Sequence, residues 1–403
     1  MMTSTTNPIV LAFSGGLDTS FCVPWLKETY GRPVVTVTVN TGGLNAASSK
    51  ALADKSAKLG AANHVEIDAR REFFDAVLKY LIIGNVRRGN LYPLCVGAER
   101  GVQARHLATA AKQLRSSTVA HGCTAAGNDQ VRFEVVLKAL APDLEVLAPV
   151  RDHDFARDLQ LSFLSERNMP LPGAGSAYSI NRGLWGVTIG GTDTLDSAGS
   201  IPESAWVLSQ SALESGLAPS NIEIAFKQGV PVAIDGEKLD PVTLIERLEE
   251  RGAKFGVGRG IHLGDTILGT KGRVAFEAPA AEILLSAHRE LEKLTLTALQ
   301  ARIKEPLSQT YGDFVHEGRQ LDPVCADIEA LLISSQRRVT GSVRCMLRPG
   351  SLFVLGTRSP HSLMAASRGK YGESAGEWTS ADALGFSRIL SLPGMLHTRA
   401  GGS

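Results

Sequence analysis

The stretch from Ile9 to Ser20, IVLAFSGGLDTS, limits what this chain can fold into more than any other. A run of apolar residues from Ile9 to Phe13 stops at Ser14-Gly15-Gly16, and a helix-forming segment from Asp18 to Glu28 begins at once. A strand, a glycine turn and a helix start in direct succession gather backbone N–H groups and the positive end of a helix dipole around one concavity. That arrangement suits phosphate or pyrophosphate. Glycine lets the backbone turn and approach a ligand closely, and the hydroxyls of Ser14, Thr19 and Ser20 add donors. The alternative is an ordinary strand-to-helix turn of an α/β protein. No Lys follows the glycines, so this is not the P-loop, and G-x-G-x-x-G is not matched either.

The chain then alternates strand and helix patterns. Pro33 to Asn40 is β-branched almost throughout and reads as a buried strand ending at Thr41-Gly42-Gly43; Asn45 to Leu59 reads as a helix with Gly60 at its end. His64 to Ile67 predicts a strand, Arg70 to Ile83 an amphipathic helix ending near Gly84, Ala98 to Leu114 a helix and Ser117 to Ala120 a strand. Asn128 to Leu140 predicts a further helix and Leu144 to Leu147 a strand. Such alternation implies right-handed crossovers and a parallel sheet covered on both faces, with ligands gathered beyond the carboxyl ends of its strands. The turns after Phe13, Asn40 and Ala120 are therefore expected to face one crevice.

A Pro/Gly/Ser-rich stretch, Met169 to Ser176, suits a domain connection, and the pattern beyond it changes. Hairpins are expected at Ile222–Lys227 with Val230–Asp235 and at Ser342–Leu347 with Leu352–Thr357. Helices are expected over Thr243–Lys254, Ala280–Thr297 and, in the tail, Ser380–Leu392. This is an α+β second domain, expected over 173–362 after a first domain over 1–172, with a C-terminal tail over 363–403.

Composition narrows the function classes. At 403 residues, 43% hydrophobic and 21% charged, the chain is of the globular class; 42 Lys+Arg against 41 Asp+Glu leave no broad positive field for nucleic acid. The five cysteines are scattered and contain no C-x-x-C pair, which fits a reducing compartment and argues against a zinc site or a disulfide frame. The N-terminus has no signal-peptide pattern and no apolar run reaches membrane-spanning length. A cytoplasmic protein with no membrane partner is the expectation.

The second informative stretch is His121 to Glu134, HGCTAAGNDQVRFE. Gly122 follows a strand, so its backbone can approach a ligand. Asn128 and Asp129 stand where a helix cap and first helical residue belong, with Arg132 on the same face four residues after Asn128. Either Asn128 simply caps the helix and Arg132 pairs with Glu134 or water, or these side chains supply donors and acceptors for an amino acid's ammonium and carboxylate beside the phosphate cradle.

Ala12 to Ser20 resembles the PP-loop, the pyrophosphate-binding signature of N-type ATP pyrophosphatases. HGCT followed by GNDQVRFE makes the chain similar to the argininosuccinate synthase family. The likeness extends through Tyr178-Ser179, Gly256-Val257-Gly258-Arg259, Lys271-Gly272-Arg273, Phe276-Glu277-Ala278-Pro279 and Val339-Thr340-Gly341. The resemblance implies an α/β fold: a parallel-sheet nucleotide-binding domain of the PP-loop (adenine nucleotide α-hydrolase-like) type, then an α+β synthetase domain and a short tail. It implies ligation of L-citrulline to L-aspartate with ATP cleaved to AMP and pyrophosphate, through a citrullyl-adenylate, in arginine biosynthesis. Both nucleophiles come with the substrates, so the protein has mainly to position reactants and stabilise phosphate charge. Mg2+ would bridge phosphate oxygens, with no metal held by a dedicated side-chain cluster.

The resemblance also implies residue roles. Ala12, Phe13, Ser14, Gly15, Gly16, Leu17, Asp18, Thr19, Ser20, Val39 and Gly122 would hold ATP. Thr124, Asn128 and Asp129 would hold aspartate; Tyr92, Asn128, Arg132, Ser179 and Thr188 would hold citrulline. Asp18, Asn128, Asp129 and Arg132 would form the catalytic set, and a homotetramer with its C-terminal segment docked on a neighbouring copy is expected.

Three departures from the family pattern fall in the citrulline pocket: Gly97 where a serine is usual, Gly264 where a glutamate is, and Phe276 where a tyrosine is. Asp265, beside Gly264, either reaches the ligand's ammonium or only starts a turn. These departures keep open a paralogue joining aspartate to a different ureido compound. tRNA sulfuration, also found among PP-loop enzymes, generally uses paired reactive cysteines and an RNA-binding extension, and the chain shows neither. A nucleotide-binding regulatory protein would not need Asn128, Asp129 and Arg132.

Overall fold

The computed structural model describes residues 7–171, 178–367 and 376–402. The first half builds a sheet of five parallel strands, β1 (Ile9–Ala12), β2 (Val34–Asn40), β3 (Asn63–Asp68), β4 (Thr118–Ala120) and β5 (Glu145–Leu147), in the order β3-β2-β1-β4-β5. The β-branched run of β2 is buried from Val34 to Thr38, as a central strand covered on both faces requires. Helices α1 (Leu17–Tyr30), α2 (Ala46–Lys58), α3 (Arg70–Phe73), α4 (Lys79–Gly84), α5 (Arg100–Gln113), α6 (Asn128–Leu140), α7 (Pro149–Asp152) and α8 (Arg157–Glu166) connect and cover the strands. Strand order reverses between β1 and β4, so the loops leaving their carboxyl ends part and leave a crevice.

The second half contains two antiparallel sheets. One takes the order β11-β12-β7-β6, from β6 (Tyr178–Gly183), β7 (Gly186–Gly191), β11 (Arg259–Asp265) and β12 (Lys271–Glu277). The other takes the order β10-β9-β8-β13-β14, from β8 (Ser220–Lys227), β9 (Val230–Ile234), β10 (Glu237–Lys238), β13 (Gly341–Arg348) and β14 (Ser351–Arg358). Helices α9 (Pro241–Ala253), α10 (Pro279–Thr295), α11 (Ala298–Glu317) and α12 (Pro323–Ser335) pack with them, followed by α13 (Leu363–Ala366) and α14 (Ser380–Ala400). Both anticipated hairpins form, each with one shift of register, between Ala225 and Phe226 in the first and between Arg344 and Cys345 in the second. Helices α11 and α12 and the β6–β7 hairpin have no counterpart in the sequence reading. The Pro/Gly/Ser-rich connection falls largely in 172–177, outside the described residues.

Local differences have local causes. The helix expected over Arg70–Ile83 is interrupted by a π turn, Phe74–Leu78, and its last segment ends at Gly84, as expected, with Asn85 capping it in the left-handed conformation. Gly84 itself is pressed against Val86, where a Cβ would lie 2.8 Å from the valine side chain. The tail helix runs eight residues past Leu392, through Pro393, which removes a hydrogen bond without ending the helix. Residues 69–102, from the first half of the chain, share the largest apolar core with residues 184–347.

A buried polar knot ties the helices of that core together. Glu292 on α10 accepts from Asn85 Nδ2 after α4 (2.5 Å), from Gln336 Nε2 after α12 (2.6 Å) and from Lys304 Nζ on α11 (3.0 Å). His288 bridges the carboxamide oxygens of Asn85 and Gln336 at 2.6 and 2.9 Å. Glu292 and Lys304 are nearly inaccessible, so each needs the other to offset lost hydration. Because the knot orients α11, it also decides where the end of that helix meets the crevice. Lys304→Met, which keeps the volume but leaves Glu292 without its ammonium partner, is expected to lower stability by about 3 kcal/mol, read as a fall in the denaturant midpoint.

Candidate active site

The crevice at the β1/β4 parting encloses about 790 Å3 and is lined from both halves of the chain. Two helix starts face it without side-chain caps. Helix α1 begins after Gly16, whose backbone is extended, and α6 begins after Gly127, likewise extended. Helices α2, α9, α11, α12 and α14 instead carry capping side chains from Asn45, Asp240, Thr297, Asp322 and Thr379. The first-turn N–H groups of α1 and α6 therefore remain available to an anion. Asn128 is the first helical residue and not the cap that the sequence suggested. Its Oδ1 instead accepts the backbone N–H of Ile267 at 2.8 Å, joining α6 to the β11–β12 turn.

Around the first loop, Ser14 Oγ and Thr19 Oγ1 lie 3.2 Å apart, and Gly16 N–H reaches Ser14 Oγ at 3.4 Å. Gly15 takes φ +73°, and its carbonyl accepts Lys55 Nζ at 2.6 Å. Gly122 packs on the start of α1: a Cβ there would lie 3.0 Å from Thr19 N. This contact explains why a glycine follows β4, since any side chain would push the loop after β4 away from the start of α1.

Ala12, Phe13, Ser14, Gly16, Asp18, Thr19, Val39 and Gly122 line the crevice, as expected of the nucleotide set. Leu17 and Ser20 do not. Leu17 belongs to the core under α1, and Ser20 is fully buried with its hydroxyl on the Gly15 carbonyl, because the helical period turns both positions inward. Gly15 shapes the loop without lining the crevice. Burial raises the Asp18 carboxyl above its ordinary range.

The second cluster centres on Asp129. Its Oδ1 accepts Arg132 Nη1 at 2.6 Å and its Oδ2 accepts Arg100 Nε at 3.0 Å. Burial pushes this carboxyl up, but the two guanidiniums outweigh it and hold the group at about 2. Arg132 thus pairs with Asp129, while Glu134 is taken by Arg151. Arg132 also donates from Nε to the His316 carbonyl at 2.6 Å, and its Nη2 lies 3.1 Å from His316 Nδ1. Gly318, which ends α11 with φ +77°, allows this approach: a Cβ there would lie 2.8 Å from the Arg132 Cα.

Thr124, Tyr92, Ser179, Thr188 and Asp265 reach the same crevice. Tyr92 is 8% exposed; its hydroxyl donates to the Cys95 carbonyl, and its ring stacks on His262 at 5.3 Å and meets Phe276 edge-on at 5.2 Å. Asp265 lies at the open rim, ion-paired with Lys271 at 2.5 Å. Arg88, Glu99, Arg100, Gln103, His262 and His316 also line the crevice and were not singled out from the sequence. Glu99 and Arg100 stand two and three residues after Gly97, which the sequence singles out, and could have been found there. His316 could not, being 184 residues from Arg132 and on a helix the pattern does not announce. Burial raises Glu99 to about 7 against the opposing pull of Arg100 and of the Thr41 hydroxyl that it accepts. No group of three or more His, Cys, Asp or Glu side chains is placed to hold a metal ion among the described residues.

Burial, then the Arg132 and Arg88 guanidiniums, hold His316 neutral down to about pH 3. Unfolding lets it take up a proton anywhere between that value and about 6.5, so its neutral burial contributes stability that falls as pH drops through this window. His316→Gln is expected to reduce proton uptake on unfolding at pH 5 by about one, which flattens the slope of unfolding free energy against pH by about 1.4 kcal/mol per unit.

Comparison with known proteins agrees with this geometry. Residues 8–170 match the family described as arginosuccinate synthase N-terminal HUP domain, and residues 178–397 match the arginosuccinate synthase C-terminal domain. The argininosuccinate synthase of Dictyoglomus turgidum is 37% identical over 396 residues, covering 98% of each chain. That of Methanocaldococcus jannaschii is 37% identical over 389 residues, with 96% of this chain and 97% of the relative covered. That of Xanthomonas campestris pv. campestris is 38% identical over 397 residues, with 97% and 98% covered. On the residues of its crevice and on likeness along nearly its whole length, the chain belongs to the argininosuccinate synthase family.

Proposed function

We propose that the protein joins L-citrulline to L-aspartate, forming argininosuccinate while ATP is cleaved to AMP and pyrophosphate. The observation that carries this reading is the pair of uncapped helix starts, α1 and α6, facing one crevice with Asn128, Asp129 and Arg132 on the second. One start receives the pyrophosphate that leaves, and the other receives amino-acid substrates. The relatives share the name argininosuccinate synthase, which does not favour a paralogue with a different ureido acceptor.

In the first step the ureido oxygen attacks the α-phosphorus, the bond to the bridging oxygen breaks, and pyrophosphate leaves. In the second, the α-amine of aspartate attacks the ureido carbon and AMP departs. Ser14, Thr19 and the N–H groups of the α1 start stabilise the departing phosphates. With its carboxyl held at about 2, Asp129 stays ionised at neutral pH, so it acts as a fixed anion that orients Arg100 and Arg132 and not as a proton acceptor. Thr124 and Asn128, at the α6 start, meet aspartate; Tyr92, Arg132, Ser179, Thr188 and Asp265 surround the ureido acid. The oxygen donors of Ser14, Asp18 and Thr19 are of the hard kind that suits Mg2+ carried on ATP, which would add charge neutralisation at the phosphates.

AMP and pyrophosphate release from ATP is expected only when citrulline and aspartate are both present at turnover. Pyrophosphate without AMP is expected in a single burst with citrulline alone, and neither product with aspartate alone. Steady release that ignores aspartate would refute the ligase reading.

The tail supports a homotetramer. Helix α14 buries none of its residues, and it leaves Phe386, Ile389 and Leu390 65–68% exposed, uncovered by any of the described residues. We propose that it docks on a second copy. Removing residues 376–403 is expected to lower the mass measured by light scattering from that of a tetramer; an unchanged mass would exclude this role.

A further inference from the structure

The two guanidiniums at the acceptor end of the crevice converge on one imidazole. Arg88 Nη1 lies 2.7 Å from His316 Nε2, and Arg132 Nη2 lies 3.1 Å from His316 Nδ1. His316 is 5% exposed and Arg132 6%. A neutral imidazole accepts at one ring nitrogen only, so one of these guanidiniums faces a ring N–H and lacks an acceptor in that direction. Arg88 has two other partners, the Asp265 carbonyl at 2.9 Å and Asp313 at 3.8 Å, the latter beyond hydrogen-bond distance. The Nε2 atom of His262 is likewise buried without a partner. The donors at this end outnumber the acceptors.

The departures at positions 264 and 97 have a shared consequence. A Cβ on Gly264 would lie 2.5 Å from His262 Nε2, so the imidazole fills the space that an acidic side chain at 264 would need. A Cβ on Gly97 would lie 3.1 Å from the Arg132 guanidinium, and glycine leaves that face bare. The carboxylates of the crevice wall are committed elsewhere. Asp129 is held by Arg100 and Arg132, Asp265 by Lys271 at the rim, and Glu99 by Thr41 beside Arg100. Asp18 stands on the first turn of α1.

We propose that Arg88 and His316, together with Arg132, determine acceptor specificity by clamping the carboxylate of the ureido acid, and that the acceptor's ammonium contributes little to recognition. This rests on the ligase reading above and names the chemistry its acceptor pocket selects. A carboxylate supplies the missing acceptors between the guanidiniums and imidazoles. An ammonium brought to the same place would add a cation to an end already rich in donors, with no unengaged carboxylate to receive it.

The test is pyrophosphate release at saturating ATP and aspartate with three acceptors: L-citrulline, 5-ureidopentanoate, which lacks the ammonium, and 4-ureidobutylamine, which lacks the carboxylate. We expect kcat/KM for 5-ureidopentanoate within about fivefold of citrulline, and for 4-ureidobutylamine at least about 100-fold lower, the loss that follows when a buried charged group is left unpaired. Arg88→Gln is expected to raise KM for 5-ureidopentanoate about 10-fold or more with kcat and the KM for ATP little changed, and Arg88→Lys to recover part of the loss. Turnover of citrulline with 5-ureidopentanoate at least about 100-fold poorer overturns the inference and leaves the ligase reading standing. No turnover with any of the three overturns that reading, and the inference with it.

Discussion

The crevice depends on one carboxylate. Asp129 takes a guanidinium on each oxygen, Arg100 from α5 and Arg132 from its own helix, and Arg132 extends the linkage to the end of α11. Three elements far apart in the chain are thereby fixed around the start of α6. Removing the anion would leave two poorly hydrated cations facing each other, so the triad acts as a unit and is better described by its net charge than by its separate pairs. With that charge settled, the second half of the molecule can close over the nucleotide sheet without bringing an uncompensated ion into the interface.

The rest of the site follows from how backbone donors are spent. Helices α2, α9, α11, α12 and α14 use a side chain at their first turn, whereas α1 and α6, which face the crevice, begin after glycines and do not. Both sit at the position where the parallel sheet reverses its strand order, and Gly122 lets the loop after β4 pack directly on the start of α1. Phosphate charge and amino-acid charge can then be handled by neighbouring dipoles, which need no reorganisation during reaction. The knot of Glu292, Lys304, His288, Asn85 and Gln336 does the complementary task at the back of the molecule, where it orients the helix that delivers His316.

Much of this was legible along the chain. β1, β2 and the helix after each glycine turn were readable because a covered parallel strand must be apolar throughout and a phosphate loop must have small residues. The stretch from His121 to Arg132 was readable because its residues do their work within one helical turn. Other features were not. Helix α11 carries weak apolar periodicity, since its buried face mixes Lys304, Ser308 and His316 with Tyr311 and Val315, and the inward turn of Leu17 and Ser20 shows only once α1 is packed. Asn128 looked like a cap because caps are short-range, whereas its partner, Ile267, lies on a distant hairpin.

By itself, then, the sequence determined the alternation of strands and helices, the phosphate loop and the Asn128-Asp129-Arg132 face, because each arises from neighbours in the chain. Tertiary structure alone decided what surrounds the acceptor. The pairing of Arg88 and Arg132 with His316, and the exchange of space between Gly264 and His262, join residues whose contact no local pattern encodes. The physical reason is range: dihedral preference and side-chain period act over a few residues, while charge balance and steric exclusion act wherever the fold brings groups together.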